Sequence, residues 1–488
     1  VETDNIGLRN AAIEVLGMIA QGKAEKFEEA CNGVVNGARK FLIEAMGKTR
    51  DPQMIESLQS LVRGTDANAA AAAVEALVRI GGARSEAVLK EQLSTRDLFL
   101  RIAIVEGMTR LGTQVSWGEL EPAIEDAIVR RISAELLGRT GDPRALEFLL
   151  ELANDASPQT SSAALRAIAE LAEGSEDDRE AIADRLGASN ESFRHVVHET
   201  LLHGDTPTRR SAAYLAVLCR DESSLEAVIQ AVADDVANES TVEALRAWGP
   251  GLVEPLLMLR RGEARVWAIG LELAAELCAR HAEQVPDSAR DRVRSLIERD
   301  LTDSKEVVRA AAAESLRWGG DARDCRALVE CLDSSSHLVR AAATNALEAL
   351  AARVPDEVED ALRGADLDGP GGADVAHVLS RLDSPGAVAL LKRGLHSGDS
   401  RTRRAAVRAL AIANATDVAE LIGYAIADED IDVQIAAVRT LGQMSTNEAN
   451  APLRSALHST FPAIRAEAAL SLGRRAADRA IPQSRGLL

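Results

Sequence analysis

The feature that most constrains this chain is an arginine-centred pattern that recurs at a nearly constant interval along the sequence. The stretch "DSKEVVRAAAAESL" places Arg309 before an alanine-rich run, and "DSSSHLVRAAATNAL" places Arg340 in the same way. We number this residue position zero of each repeat. The same position recurs at Arg9, Arg39, Ala70, Arg101, Arg130, Ser161, Arg403, Gln434 and Arg465. On either side of a less regular middle segment the steps are nearly even, with one double step before Arg403, and they predict a repeat architecture rather than ordinary domains.

Each repeat predicts two short helices joined by one turn. Within residues 138–171, Asp142 and Pro143 suit the start of the first helix. The run from Asn154 to Pro158 then breaks the chain before a second helix begins. Helices shorter than about a dozen residues are marginal in water, so each hairpin must cover its apolar side with the next one.

Composition supports an all-α fold. Hydrophobic residues make up 46% of the chain and aromatic residues only 2%, with much of the apolar content in the helix formers alanine and leucine. We therefore predict an all-α solenoid, or superhelix, of about 15 stacked two-helix repeats of roughly 31 residues. In the middle of the chain, Arg194, Arg209, Glu243 and Trp267 fit position zero at uneven spacing.

Residues 136–170 and 299–350 follow the pattern "LG-x-x-GDP-x-A-x-x-x-L … D-x-x-x-VR-x-x-A-A-x-A-L" closely. In this pattern the chain resembles the HEAT-repeat family, specifically the short bacterial type named for phycobilisome lyases. The resemblance covers nearly the whole chain and is weak between about 174 and 300. It implies that the second helices line a concave face, but solenoids serve many roles.

The spacing predicts one continuous solenoid in three parts. Residues 1–173 and 301–488 hold regular repeats, whereas residues 174–300 are irregular. The segment "GADLDGPGGADV" at 364–375 is a possible hinge. The chain opens on a second helix without a first one, and "DRAIPQSRGLL" resembles a first helix cut short, so we expect a fragment of a longer protein.

Charge and cysteine content exclude several classes of function. The net charge is −20, which opposes nucleic acid and anionic membranes as partners. Five scattered cysteines do not form a disulfide framework, and neither a signal peptide nor a membrane-spanning run is present. We predict a cytoplasmic protein that binds other proteins; the oligomeric state stays open.

A strip along the second helices is the candidate partner-binding site. Helical spacing buries positions −1, 2, 3, 6 and 7, so positions 1, 5 and 8 point away from the core. Position 5 of successive repeats, with Tyr214 and Trp248 as candidate anchors, gives the predicted set Glu14, Glu44, Glu75, Glu106, Glu135, Arg166, Tyr214, Trp248, Arg408 and Arg439. Glutamate also occupies position 5 in three further repeats, as Glu199, Glu272 and Glu314. Such a strip is either a solvated helix surface or a groove of graded charge that orients a partner.

The position-zero arginines are assigned to the scaffold instead. Aspartates recur six or seven residues earlier, at Asp303 and Asp333. The family resemblance implies that these residues form a ladder between neighbouring hairpins.

Catalytic and metal-binding patterns are weak. His195, Glu199 and His203 lie at i, i+4 and i+8 of "SFRHVVHETLLHG" and could share one helix face as metal ligands. Helical spacing supplies two such ligands more easily than three, so no metal, cofactor or catalytic residue is predicted. The pattern "MGKT" lacks the leading glycine of a phosphate-binding loop.

Two functions fit these observations. The first is a non-enzymatic scaffold or adaptor that holds a partner protein on its concave face. The alternative, implied by the resemblance to phycobilisome lyases, is a lyase-type accessory protein that acts on a tetrapyrrole of a partner protein.

Overall fold

The computed structural model describes residues 6–19, 22–34, 37–174, 176–188, 191–412, 418–444 and 446–484. This part of the chain is built from helices and connecting turns and contains no strand. None of its helices is both long and apolar enough to cross a membrane. The helices form two compact units, residues 1–245 and 246–488.

The helices of the first unit form successive two-helix hairpins, with one divided second helix and one additional helix. Their bounds are α1 Ile6–Ile19, α2 Ala24–Gly33, α3 Gly37–Lys48, α4 Ile55–Val62, α5 Ala67–Ile80, α6 Gly82–Gln92, α7 Leu98–Leu111, α8 Trp117–Leu120, α9 Ala127–Ile132, α10 Ala134–Arg139, α11 Ala145–Ala153, α12 Pro158–Glu173, α13 Glu176–Gly187, α14 Glu191–His203, α15 Thr206–Leu218 and α16 Leu225–Ala233. Helix α17, Glu239–Trp248, contains the division between the units.

The second unit also consists of successive two-helix hairpins. Its helices are α18 Val253–Met258, α19 Ala264–Arg280, α20 Asp287–Asp300, α21 Glu306–Gly319, α22 Cys325–Leu332, α23 His337–Ala351, α24 Pro355–Leu362, α25 Gly372–Leu379, α26 Pro385–Gly394, α27 Ser400–Leu410, α28 Val418–Tyr424, α29 Ile431–Gln443, α30 Asn450–Ala456 and α31 Pro462–Ser484.

Second helices pack against second helices within each unit. The row α1, α3, α5, α7, α10, α12 and α15 builds the first unit, and the row α19, α21, α23, α25, α27, α29 and α31 builds the second. Aspartate side chains cap many of these helices, as Asp97 does by accepting from the Leu100 N–H at 3.1 Å. The predicted all-α solenoid of stacked two-helix repeats is confirmed.

Three local predictions differ from the structure. Arg194 lies on α14, the first helix of its hairpin, because α13 is an additional helix and α12 packs directly against α15. The second helix that contains Arg130 is divided at Ser133 into α9 and α10. The C-terminal segment extends α31 to Ser484 instead of starting a new helix.

Position 8 also differs from the prediction, because it packs against the neighbouring second helix in several repeats. Gly138 lies so close to Ala167 that an added Cβ would stand 2.8 Å from the Ala167 Cα. Gly47 meets Ala76 in the same way, with 2.7 Å to the Cα. At these two repeats position 8 therefore belongs to the helix interface, and glycine is needed there for the close approach.

Candidate protein-binding surface

Most of the position-zero arginines with a described side chain bind the turn of their own hairpin. Arg309 Nη1 donates to the carbonyl oxygens of Asp303 at 2.7 Å and of Ser304 at 3.0 Å. Arg340 makes the same contacts six and five residues back, and so do Arg403 and Arg465. These carbonyls follow the end of the first helix, where backbone acceptors lack helical partners. The arginines thus fasten each first helix to its second helix.

Several position-zero arginines also reach the next repeat, among them Arg39, which lies 3.5 Å from Asp66, and Arg130, which lies 3.4 Å from Glu151. Arg403 Nη2 lies 2.8 Å from Asp428 Oδ1, and Arg340 Nε lies 3.1 Å from Asp374 Oδ2. The predicted scaffold role is supported, but the carboxylates of the ladder belong to the following hairpin. Asp303 takes part through its backbone carbonyl instead. The side chain of Arg9 lies outside the described residues.

In the first unit the glutamates of the strip are paired with basic residues. Lys48 binds Glu14, and Arg79 Nη1 lies 3.3 Å from Glu44 Oε1. Arg110 Nη1 donates to Glu75 Oε2 at 3.1 Å. This hydrogen bond, aided by the arginine charge, lowers the pKa of the Glu75 carboxyl. Each base comes from the C-terminal part of the next second helix, so charge there is largely neutralised.

The row of ion pairs continues at Glu135 and Arg166. Arg166 Nη2 lies 3.4 Å from Glu135 Oε1, which shows that position 5 of adjacent second helices is in contact. Arg139 lies 3.7 Å from both Glu135 and Glu170. Glu106 is exposed, and its charge stabilises the charged form of Arg110 without a direct ion pair among the described contacts.

These pairs mean that the first unit does not supply an acidic end to a groove of graded charge. The neighbouring helix supplies a base for most of its five position-5 glutamates. The basic residues have their own period, since Lys48, Arg79, Arg110 and Arg139 follow one another at nearly the repeat interval. This second period was the signal in the sequence that could have predicted the ion pairs, and it is not visible when position 5 is considered alone.

Tyr214 does not lie on the strip. Its side chain is 1% exposed, and burial raises the pKa of its hydroxyl. The additional helix α13 brings the Arg179 guanidinium near this hydroxyl, which opposes the shift. An anchor for a partner must be accessible, so Tyr214 is removed from the candidate set. Trp248, at the end of α17, is partly exposed.

The three metal-site candidates do not converge. His203 Nε2 lies 3.9 Å from Glu199 Oε2 on an exposed part of α14. His195 instead lines a polar cavity of about 530 Å³ together with His198 and Asp221. Among the described residues, no group of three or more His, Cys, Asp or Glu side chains could hold a metal ion. His198 Nδ1 lies 2.9 Å from Ser224 Oγ, which in turn donates to Asp221.

In the second unit the strip keeps a gradient of charge. Glu272 and Glu314 lie at one end of the row, where Arg317 is 3.2 Å from Glu314 and Asn345 donates to Glu314 at 3.1 Å. Burial, and secondarily the Glu314 charge, raise the pKa of Glu272 to about 7. The negative charge at the first end of this strip therefore comes chiefly from Glu314, and Arg317 compensates it only in part.

The other end of this strip is basic and exposed. Arg408 is exposed and has no carboxylate within 4.0 Å in the described part of the chain. Arg439 is also exposed and lies 3.2 Å from Glu467. Arg404, at position 1 of the same helix as Arg408, lies 3.7 Å from Asp432. We name the row Glu272, Glu314, Asn345, Arg408 and Arg439 the graded strip.

Comparison with known proteins agrees with this architecture at the level of the repeat. HEAT repeats match residues 119–202, 268–348 and 418–483. These matches do not distinguish the short type named for phycobilisome lyases. No curated protein matches the chain.

Several solved structures are similar over most of the chain. Kap121p bound to Pho4p is 16% identical with a TM-score of 0.46, and the match covers 91% of this chain and 52% of that one. Kap95p with RanGDP is 12% identical with a TM-score of 0.43, covering 97% and 72% of the two chains. An engineered protein is 19% identical with a TM-score of 0.26, covering 86% and 98%. The chain spans about half the length of two further Kap121p chains it matches.

Proposed function

We propose that this chain, which carries HEAT repeats in three segments, is a non-enzymatic scaffold that binds a partner protein along its second helices. The observation that carries the proposal is the graded strip, with the partly compensated Glu314 carboxylate at one end and an exposed, unpaired Arg408 at the other. Complementary charge on a partner fixes its direction along such a row.

The two units contribute differently to the proposed surface. In the first unit, Glu14, Glu44, Glu75, Glu135 and Arg166 are engaged in ion pairs, so a partner gains little from their charges. Glu106 and the partly exposed Trp248 stay within the proposed surface as secondary contacts. Recognition of the partner is therefore assigned chiefly to the graded strip.

A photo-crosslinking experiment tests this proposal. A benzophenone amino acid is placed at position 345 of the graded strip, at Leu470, the exposed position-5 residue of α31, or at Arg326, an exposed residue of the first helix α22. We expect one protein from the native host to cross-link from positions 345 and 470 but not from 326. The reversal Arg408→Glu is expected to reduce its capture without lowering the melting temperature, because this side chain is exposed and forms no ion pair in the described part of the chain.

Two outcomes contradict the proposal. One is equal cross-linking from position 326, and the other is the absence of a cross-linked protein from both positions 345 and 470. The lyase-type alternative has its own test, in which the protein is mixed with a linear tetrapyrrole. A saturable shift of the tetrapyrrole absorbance would replace the pure scaffold proposal.

A further inference from the structure

A groove on the first-helix side of the second unit has an apolar floor. It lies between α18 and α20, has a volume of about 440 Å³, and is lined by Leu257, Met258 and Leu296. Met258 is 68% exposed and lies beside Leu257 and Leu296 in this groove. Methionine is flexible and polarisable, and it is common on surfaces that adapt to a partner.

The rim of this groove carries arginines without acidic partners. Arg260 and Arg261 are exposed, and no carboxylate oxygen of the described residues lies within 4.0 Å of either guanidinium. Arg292 completes the rim and is held 2.8 Å from Glu254. Asp291 is the one carboxylate among the lining residues. The rim therefore keeps a surplus of positive charge.

This surplus is unusual in its surroundings. Arg246 and Arg280 both bind the buried Glu276, and Arg294 forms a two-point contact with Asp324. The whole chain has a net charge of −20, so two adjacent unpaired arginines beside an apolar floor are a local exception. Such a combination favours a ligand that supplies both negative charge and an apolar group.

We propose that the α18–α20 groove binds an acidic segment of a partner protein, with one large apolar side chain of that segment seated on Met258. Acidic residues of the segment flank this side chain and pair with Arg260 and Arg261. The inference goes beyond the proposed function, because the groove lies on first helices whereas the graded strip lies on second helices. Each surface can fail its test while the other passes.

Selection from a random dodecapeptide library on the full chain tests this inference. We expect enrichment of peptides in which Asp or Glu flanks Leu, Ile, Met or Phe. Binding of an enriched peptide should fall at least about tenfold in R260E/R261E and about fivefold in Met258→Ala. It should also weaken with added salt, because the arginines are exposed.

The control variant is R326E/R393E, which reverses two exposed first-helix arginines of the same unit and should bind the peptide as the wild type does. Failure to enrich acidic peptides, or equal loss of binding in both reversal variants, overturns the inference. So does a different ligand class. If a DNA duplex or phosphatidylserine vesicles bind the wild type and lose binding in R260E/R261E, the groove is a general anion surface instead.

Discussion

At the scale of single residues, ion pairing decides which charges of the second-helix face are available to a partner. Glu75 and Arg110 are both about half exposed, so solvent screens their attraction. A double-mutant cycle with Glu75→Gln and Arg110→Gln should give a coupling free energy of about 0.2–1 kcal/mol that decreases in high salt. Unfolding in denaturant measures it.

The matched control is a second cycle with Glu106→Gln in place of Glu75→Gln. Glu106 influences Arg110 only through space, so the coupling should be smaller. Equal coupling in both cycles would mean that the described ion pair does not persist in solution.

Glu272 makes stability depend on pH in a direction opposite to that of most carboxylates. Its pKa is raised to about 7 in the folded chain by burial, chiefly, and by Glu314. A folded-state pKa above the unfolded value means that the folded state binds more protons between about pH 4.5 and 7. This contribution to stability is therefore lost as the pH rises through about 7.

The substitution Glu272→Gln should consequently stabilise the second unit more at pH 8.5 than at pH 5.5, by a difference of about 2 kcal/mol. Denaturant unfolding at the two pH values measures the difference. A Glu314→Gln variant serves as control, because it removes only the secondary cause of the shift. A gain that is the same at both pH values would contradict the titration of Glu272.

At the scale of the helical element, small residues set how closely second helices approach. Gly138 of α10 faces Ala167 of α12, and a Cβ at Gly138 would stand 2.7 Å from the Ala167 carbonyl oxygen. Gly138→Ala should lower the unfolding free energy by about 1–3 kcal/mol, because backbone must move to admit the methyl group. Gly118→Ala in α8 meets nothing within 4 Å and should be nearly neutral or stabilising. Denaturant unfolding of the two variants checks the contrast.

The sequence predicted the helical elements that local signals specify and missed those that depend on packing. The hairpins were predictable, because alanine-rich runs and aspartate caps such as Asp97 report local helix formation. The additional helix α13 was not, because only packing shows that α12 skips it to meet α15. The burial of Tyr214 follows from that insertion and had no separate signal.

The sequence predicted which residues of adjacent second helices lie side by side on the candidate surface, but it did not predict the net charge of that surface. Position 5 of adjacent second helices is in contact, as the pair Glu135–Arg166 shows. Its charge depends on residues one repeat later, such as Arg79 and Arg110, whose side chains reach back across the helix interface. Long flexible side chains make such contacts, so periodicity within one helix face could not reveal them.

At the scale of the whole molecule, the division into two units predicts that unfolding is not a single transition. In a stack, each repeat contacts only its neighbours, so repeats unfold together only where the interface between them is strong enough. Trp117 belongs to the first unit, whereas Trp248, Trp267 and Trp318 belong to the second. A variant that keeps only Trp117 and one that lacks only Trp117 should therefore give different denaturant midpoints by fluorescence. Coincident midpoints would show that the two units unfold together.

The contact of Arg309, Arg340 and Arg403 with the turn of their own hairpin has a consequence for how such a chain changes length. Because these hydrogen bonds form within a single repeat, a segment of one repeat that is duplicated or deleted retains all of them. Gene duplication could thus lengthen the array one hairpin at a time, and only the carboxylate that meets the preceding arginine would need to be matched at the new junction.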